Sequence, residues 1–177
     1  MTTIDQLFGA RTARLIPDAI GAALAAAVRD RLAGAGYTRY ALLDRGRYEV
    51  REGVDEPALG AALTQLAADA TGRTLAIASA RALRLGPGDY LLAHHDRVDD
   101  DQPVEVMLDL SAARVPGAEV HYRRRGQVYF RAPSAPGAAS IVERGPAVAC
   151  NHTYVSQRHV GAAIVRLVVR LRDVALP

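Results

Sequence analysis

Two histidines and one aspartate have the spacing of a metal site in segments that the sequence predicts to be strands. His94 and Asp96 are two residues apart, so on a strand they face the same side, while His95 faces the other. A third ligand must come from a distant strand, and His152 lies on a later β-like segment. Two imidazole nitrogens and one carboxylate oxygen on one side of a metal ion leave three coordination positions open.

An open coordination site of this kind predicts catalysis by Fe(II). Structural zinc sites are closed by four protein ligands, whereas this ligand set leaves two positions for a chelating cosubstrate and one for O2. If the chelator is 2-oxoglutarate, its second carboxylate needs a cation further inside the protein. Arg166 lies between Val165 and Leu167 in the last predicted strand, where an arginine is costly unless it meets an anion. Its guanidinium can bind a carboxylate through two parallel hydrogen bonds.

The sequence also offers competitors for two of these roles. His159 competes with His152 as the third ligand, but it lies near a predicted turn, and strands hold ligands more rigidly than loop tips. Arg170 competes with Arg166 on the same face of the strand, but it is nearer the strand end, where a solvated arginine is expected. Cys150 shares the predicted face of His152 and is interpreted as a small buried hydrophobe rather than a nucleophile.

Two helices and a hairpin are predicted ahead of these segments. The first amphipathic helix is predicted to start near Pro17, where proline suits a first helical turn. The second is predicted to start near Pro57 and to end at Gly72. Between the two helices, short segments at 40–43 and 47–50 flank a turn containing glycine, which predicts a β-hairpin.

The later part of the chain, residues 73–177, consists of short apolar segments separated by Gly, Pro and Asp. Eight such segments predict a mainly β fold, a closed sandwich or barrel such as a jelly roll, with the two helices of residues 1–72 packed on one face. No linker separates the two parts, so residues 1–177 are predicted to form a single domain. The predicted strands are 82–85, 89–95, 104–110, 119–123, 127–131, 138–142, 148–155 and 162–171.

Composition excludes several classes of protein. Half of the residues are apolar and the net charge is only +3, with every basic residue an arginine, which is typical of a globular chain. No apolar run approaches the ~20 residues of a membrane span, and no secretory signal is visible. The single cysteine fits a reducing compartment, so we expect a cytoplasmic protein without a membrane partner. The triplet Arg123–Arg125 is interpreted as a solvated hairpin tip, and no nucleic-acid partner is expected.

An ordered series of motifs resembles the prolyl-hydroxylase-like 2-oxoglutarate/Fe(II) oxygenases. Residues 85–96, with the sequence LGPGDYLLAHHD, are similar to the strand-turn-strand that leads to the metal in this family. The segments at 103–111, 116–120 and 136–142 are similar, in order, to the following core strand, the Gly-Gly-Glu-Leu hairpin and the run into the second histidine. Arg166 then follows His152 by fourteen residues, a spacing that fits members of the superfamily.

The resemblance covers about half of the chain and implies both a fold and an activity. The implied fold is a double-stranded β-helix, or jelly-roll, barrel. The implied enzyme is a dioxygenase that uses Fe(II), 2-oxoglutarate and O2 to hydroxylate or otherwise oxidise an unactivated C–H bond. His94, Asp96 and His152 would then bind the metal, and Arg166 would bind the cosubstrate.

The sequence departs from the family at two positions. Leu85 stands where a tyrosine is common, and Val168 stands where a serine often contacts the cosubstrate carboxylate. Tyr90 and Tyr154 are candidates to supply the missing hydroxyl contact. Asp96 is retained, which differs from the halogenating branch, where a small residue frees a site for chloride.

The substrate is expected to be a small molecule, such as an amino acid or a biosynthetic intermediate, because the helical part is too short for a protein-recognition domain. Two other functions fit the same residues: a cupin-like metal enzyme that does not use 2-oxoglutarate, and a barrel that binds a small ligand without catalysis. A homodimer is compatible with the sequence, but no feature requires it.

Overall fold

The computed structural model describes residues 13–34, 36–94, 102–145 and 147–174. They form two helices, α1 (Ala22–Leu32) and α2 (Pro57–Thr71). They also form eleven strands: β1 (Ala13–Ile16), β2 (Thr38–Leu42), β3 (Gly46–Glu52), β4 (Leu75–Leu85), β5 (Tyr90–His94), β6 (Val104–Asp109), β7 (Val120–Arg124), β8 (Gln127–Ala132), β9 (Ala139–Glu143), β10 (Val148–His152) and β11 (Ile164–Asp173).

The second helix follows its sequence signals closely, and the first does not. Pro57 occupies the first turn of α2, and Gly72 ends the helix in the left-handed conformation that glycine adopts without strain. The predicted start of α1 near Pro17 is wrong, because Asp18 has a φ of +48°, which an α-helix cannot contain. The helix begins instead at Ala22. Among the described residues, no helix combines the length and apolar character needed to cross a membrane.

All eleven strands belong to one antiparallel sheet that curls into a nearly closed barrel. Its strand order is β1-β9-β6-β11-β4-β3-β5-β10-β7-β8, and β2 pairs with β3 outside this path. The predicted double-stranded β-helix with two helices is confirmed, and so are the hairpin and all eight predicted strands. The sequence reasoning missed β1, which pairs with β9, and the first half of β4.

The wall of the barrel separates two apolar layers. An outer layer packs the helices on one face of the sheet, with Val28 and Leu63 against strand residues such as Leu167. An inner layer fills the barrel and includes Tyr122 and Val168. Because successive strand residues alternate between faces, β11 contributes Leu167 to the outer layer and Val168 to the inner one. The arginines on either side of Val168 therefore point into the barrel.

The β2–β3 hairpin is fixed against the rest of the barrel at two places. Gly46 has a φ of +128°, and a Cβ there would lie 2.3 Å from the Tyr90 carbonyl oxygen, so only glycine allows this close approach. On the other side, the buried carboxylate of Asp89 accepts hydrogen bonds of 2.7 and 2.5 Å from Arg39. Arg47 lies 3.8 Å from the same carboxylate. The hairpin is therefore held over β5, the strand that carries His94.

Candidate active site

The two histidines that the sequence proposed as ligands come together inside the barrel. In the β5–β10 pairing, His94 lies opposite Cys150, and His152 lies opposite Leu91. Both imidazoles are buried, with 5% and 3% of each residue exposed. Burial, followed by the charges of Arg166 and His94, lowers the pKa of His152 well below its usual range. A neutral imidazole is the form that binds a metal ion.

A β-bulge in β5 aims His94 into the barrel. A separation of two positions in β10, from Cys150 to His152, is matched by a separation of three positions in β5, from Leu91 to His94. Leu91 and His94 consequently both face inward, although strict alternation would put them on opposite faces. The bulge also removes Tyr90 from the face of His94.

The two tyrosines proposed as hydroxyl donors do not line the cavity beside His94. Tyr90 and Tyr154 instead line a second groove, which also includes His152 and shares Leu91 with that cavity. Tyr154 is 50% exposed. Tyr90 does not line that cavity because the bulge turns it away from the face of His94. Tyr154 does not line it because it lies beyond the end of β10.

Hydrogen bonds orient both imidazoles. Nδ1 of His94 lies 2.8 Å from the Leu92 carbonyl oxygen, so this nitrogen carries the proton and donates. Its Nε2 is then the nitrogen with a lone pair. Nδ1 of His152 lies 2.7 Å from Nη1 of Arg166, and because a guanidinium only donates, this nitrogen is an acceptor.

Arg166 is a buried cation whose hydrogen bonds go to neutral groups. Apart from His152, its guanidinium donates to the Ala118 carbonyl oxygen at 2.9 Å, and none of the described carboxylates forms an ion pair with it. Asp109 lies opposite on β6, but its two oxygens accept hydrogen bonds from the backbone amides of Ser111 and Ala135. Burial lowers the pKa of Arg166 and outweighs the opposing effect of Asp109. Arg166 is therefore well placed to meet an anion from outside the chain.

Arg170, the competitor of Arg166, is not the solvated residue that its position near the strand end predicted. It is buried, and its Nε lies 2.8 Å from Oε2 of Glu105, its partner on β6. Arg144 donates to the same oxygen at 2.7 Å, and the Tyr122 hydroxyl donates to Oε1 at 2.7 Å. This buried Glu105 cluster was missed, although a glutamate inside the apolar run Val104–Leu108 is a usable signal.

Three further residues singled out in the sequence are Asp96, His159 and Cys150. Asp96, the predicted carboxylate ligand, lies outside the described residues, and within those residues no three His, Cys, Asp or Glu side chains are grouped to hold a metal. His159 lies in a turn between Ser156 and Ala162, as predicted. Cys150 is buried in the inner layer, also as predicted.

A cavity of about 250 Å³ opens beside His94. The barrel strands contribute Leu83, Leu91 and Arg81 to its wall. The β2–β3 hairpin contributes the rest, and those residues are Tyr40, Leu42, Arg45, Tyr48, Val50 and Glu52. One of the predicted metal ligands therefore faces a small chamber that the hairpin partly covers.

No protein-family model matches the chain, and no curated protein matches it by sequence. Solved structures do match. A prolyl-4-hydroxylase from Pseudomonas putida aligns with a TM-score of 0.72 at 18% identity, over 97% of both chains. A 2OG-Fe(II) oxygenase family oxidoreductase from Burkholderia pseudomallei gives 0.73 at 18% identity, over 96% of this chain and 88% of that one. The chain has the fold of the prolyl-hydroxylase-like 2-oxoglutarate/Fe(II) oxygenases.

The likeness extends to a protein of Streptomyces hygroscopicus. HygX from Streptomyces hygroscopicus, in a structure with nickel and 2-oxoglutarate bound, aligns with a TM-score of 0.62 at 13% identity. The alignment covers 98% of this chain and 88% of HygX. The oxygenase fold is thus shared over nearly the whole length, while few side chains are.

Proposed function

We propose that this protein is an Fe(II)- and 2-oxoglutarate-dependent dioxygenase that oxidises a C–H bond of a small molecule, most simply by hydroxylation. The observation that carries the proposal is Arg166, a buried cation without a described acidic partner, in contact with His152 inside an oxygenase-type barrel. His94 faces the same interior from the neighbouring strand. A cation placed beside a candidate metal ligand suits a cosubstrate that chelates the metal and carries a second carboxylate.

The residues present fit such a centre. His94 and His152 are buried on adjacent strands, and together with Asp96 they would hold Fe(II). When bound, Fe(II) with 2-oxoglutarate and O2 supplies the oxidising chemistry, and 2-oxoglutarate leaves as succinate and CO2. The barrel wall and the β2–β3 hairpin line the chamber and limit the poses that a substrate can take.

The hydrogen bond between Arg166 and His152 must break before His152 can bind a metal ion. While Arg166 donates to Nδ1 of His152, the imidazole proton resides on Nε2. If neutral His152 binds a metal through Nε2, its proton must lie on Nδ1. If it binds through Nδ1, the Arg166 guanidinium must leave that nitrogen. In either case Arg166 must give up this hydrogen bond, which leaves its Nη1 available for a carboxylate.

The test of this function is succinate formation by the purified protein with Fe(II), ascorbate, 2-oxoglutarate and O2. We expect Arg166→Gln to raise the KM for 2-oxoglutarate by about tenfold or more, because one charge-assisted contact contributes ~1.5–3 kcal/mol. Arg172→Gln, on the exposed end of the same strand, is the matched control and should leave the KM unchanged.

Two outcomes would contradict the proposal. An unchanged KM in Arg166→Gln would show that Arg166 does not bind 2-oxoglutarate and would remove the observation that carries the proposal. Absence of succinate from wild-type protein, together with no stoichiometric iron after anaerobic reconstitution, would favour a barrel that binds a ligand without catalysis.

A further inference from the structure

The cavity beside His94 has an apolar and aromatic wall. The rings of Tyr40 and Tyr48 stack with their centroids 5.4 Å apart and an angle of 19° between their planes. Val50 continues this wall along β3, and Leu83 and Leu91 lie on the barrel strands. At about 250 Å³, the cavity is smaller than the ~300–1,000 Å³ typical of sites for drug-sized ligands. It therefore suits the apolar body of a small molecule.

Arg45 lies on the same wall, and its backbone is tied to the strand that carries His94. The Leu92 amide donates to the Arg45 carbonyl oxygen at 2.8 Å. The carbonyl oxygen of the same Leu92 accepts from Nδ1 of His94, also at 2.8 Å. Leu92 thus links the hairpin turn to His94. The close approach of Gly46 to Tyr90 fixes this junction further. The backbone of Arg45 is therefore held at a set position relative to the strand that carries His94.

The charge of Arg45 is not neutralised within the described residues. Its side chain is half-buried, yet no described carboxylate lies within ion-pair or hydrogen-bond distance of it. The other hairpin arginines at this end differ, because Arg39 and Arg47 both face Asp89. Glu52 and Arg81 also line the cavity, where they lie opposite each other in the β3–β4 pairing, and Glu52 forms no ion pair with Arg45.

From this arrangement we infer the substrate class: a small carboxylic acid with an apolar body, whose carboxylate binds Arg45 while the body packs against Tyr40 and Tyr48. Planar guanidinium and carboxylate groups match in a two-hydrogen-bond geometry. Arg45 is thus a specificity-determining residue. This inference rests on the proposed oxygenase function for its chemistry, but the binding site itself can be tested without turnover.

The test is calorimetric binding of 3-phenylpropanoate and of its uncharged amide, 3-phenylpropanamide, to the purified full-length chain. We expect the acid to bind about tenfold or more tightly than the amide. Arg45→Gln should remove this preference, and Arg45→Lys should retain part of it. Arg51→Gln is the control on the same strand, because the Arg51 side chain packs beside Gly36 rather than in the cavity. It should bind the acid as wild type does.

Equal binding of acid and amide, or an unchanged preference in Arg45→Gln, would overturn this substrate class. Succinate formation measured in parallel separates the two proposals. Succinate with no acid preference retains the oxygenase and removes the substrate class. An Arg45-dependent acid preference without succinate from any compound supports the anion site and removes the proposed reaction.

Discussion

Replacing His94 by alanine is expected to lower Fe(II)-dependent succinate formation by about 100-fold or more. Removal of groups that merely support a metal ligand already costs ~10–100-fold in affinity or activity, and His94 is proposed to be a ligand itself. The imidazole is buried, and its Nδ1 donates to the Leu92 carbonyl oxygen, which fixes the orientation of the ring. His152→Ala should show a loss of the same size.

His159→Ala is the control for these two variants. His159 lies in a turn and is partly exposed, so it should keep wild-type succinate formation and wild-type iron content. If His159→Ala lost activity while His152→Ala kept it, the third ligand would be His159 and the inward face of β10 would have no role in metal binding. Far-ultraviolet circular dichroism of each variant establishes that the barrel is intact.

The largest effect on stability is expected from Glu105→Gln, at about 3–5 kcal/mol of unfolding free energy at pH 7. The Glu105 carboxylate is buried with Arg144 and Arg170, and removal of one partner leaves buried charge uncompensated. Urea denaturation measures the change. Glu49→Gln, which breaks a partly exposed pair with Arg84, is the matched control and should change stability by at most about 1 kcal/mol.

The Glu105 cluster is expected to make the protein less stable as the pH falls. Burial raises the pKa of Glu105, but the charges of Arg144 and Arg170 outweigh it and lower the pKa from 4.5 to about 2. The carboxylate therefore stabilises the fold fully above pH 4.5, and this contribution is lost as the pH falls toward 2. The stability difference between wild type and Glu105→Gln should shrink over that interval. A difference that stays constant from pH 7 to pH 3 would contradict the ion-pair account.

The sequence predicted the paired histidines, but not the geometry that brings them together. Alternation along a strand predicted only that His94 and Asp96 share a face, and the structure shows that His94 and His152 are buried. The bulge between Leu91 and His94 has no local signal, because it results from the pairing of β5 with β10. Strict alternation would put Tyr90 on the same face as His94, and the bulge changes that relation. Short elements at the sheet edge, such as β1, are hard to predict for a similar reason: their partner strand defines them.

The difference between Arg166 and Arg170 also depends on long-range register. The two residues share one face of β11, and the sequence distinguished them only by their distance from the strand end. Register with β6 places Glu105 opposite Arg170 and Asp109 opposite Arg166. Because Asp109 bonds to backbone amides, Arg166 alone of the two lacks a described carboxylate partner. The sequence favoured Arg166 because it lies further from the strand end. The structure favours it because Arg170 is paired with Glu105, whereas Arg166 has no ion pair with a described carboxylate.

Anaerobic titration with Fe(II), followed by 2-oxoglutarate, tests the proposed centre most directly. We expect wild-type protein to bind one equivalent of Fe(II) and to develop a visible absorption band when 2-oxoglutarate is added. Arg166→Gln should need more 2-oxoglutarate for the same band, and His152→Ala should give none. Wild-type protein that binds no iron, or a His152→Ala variant that binds iron and develops the band as wild type does, would contradict the assignment of this site.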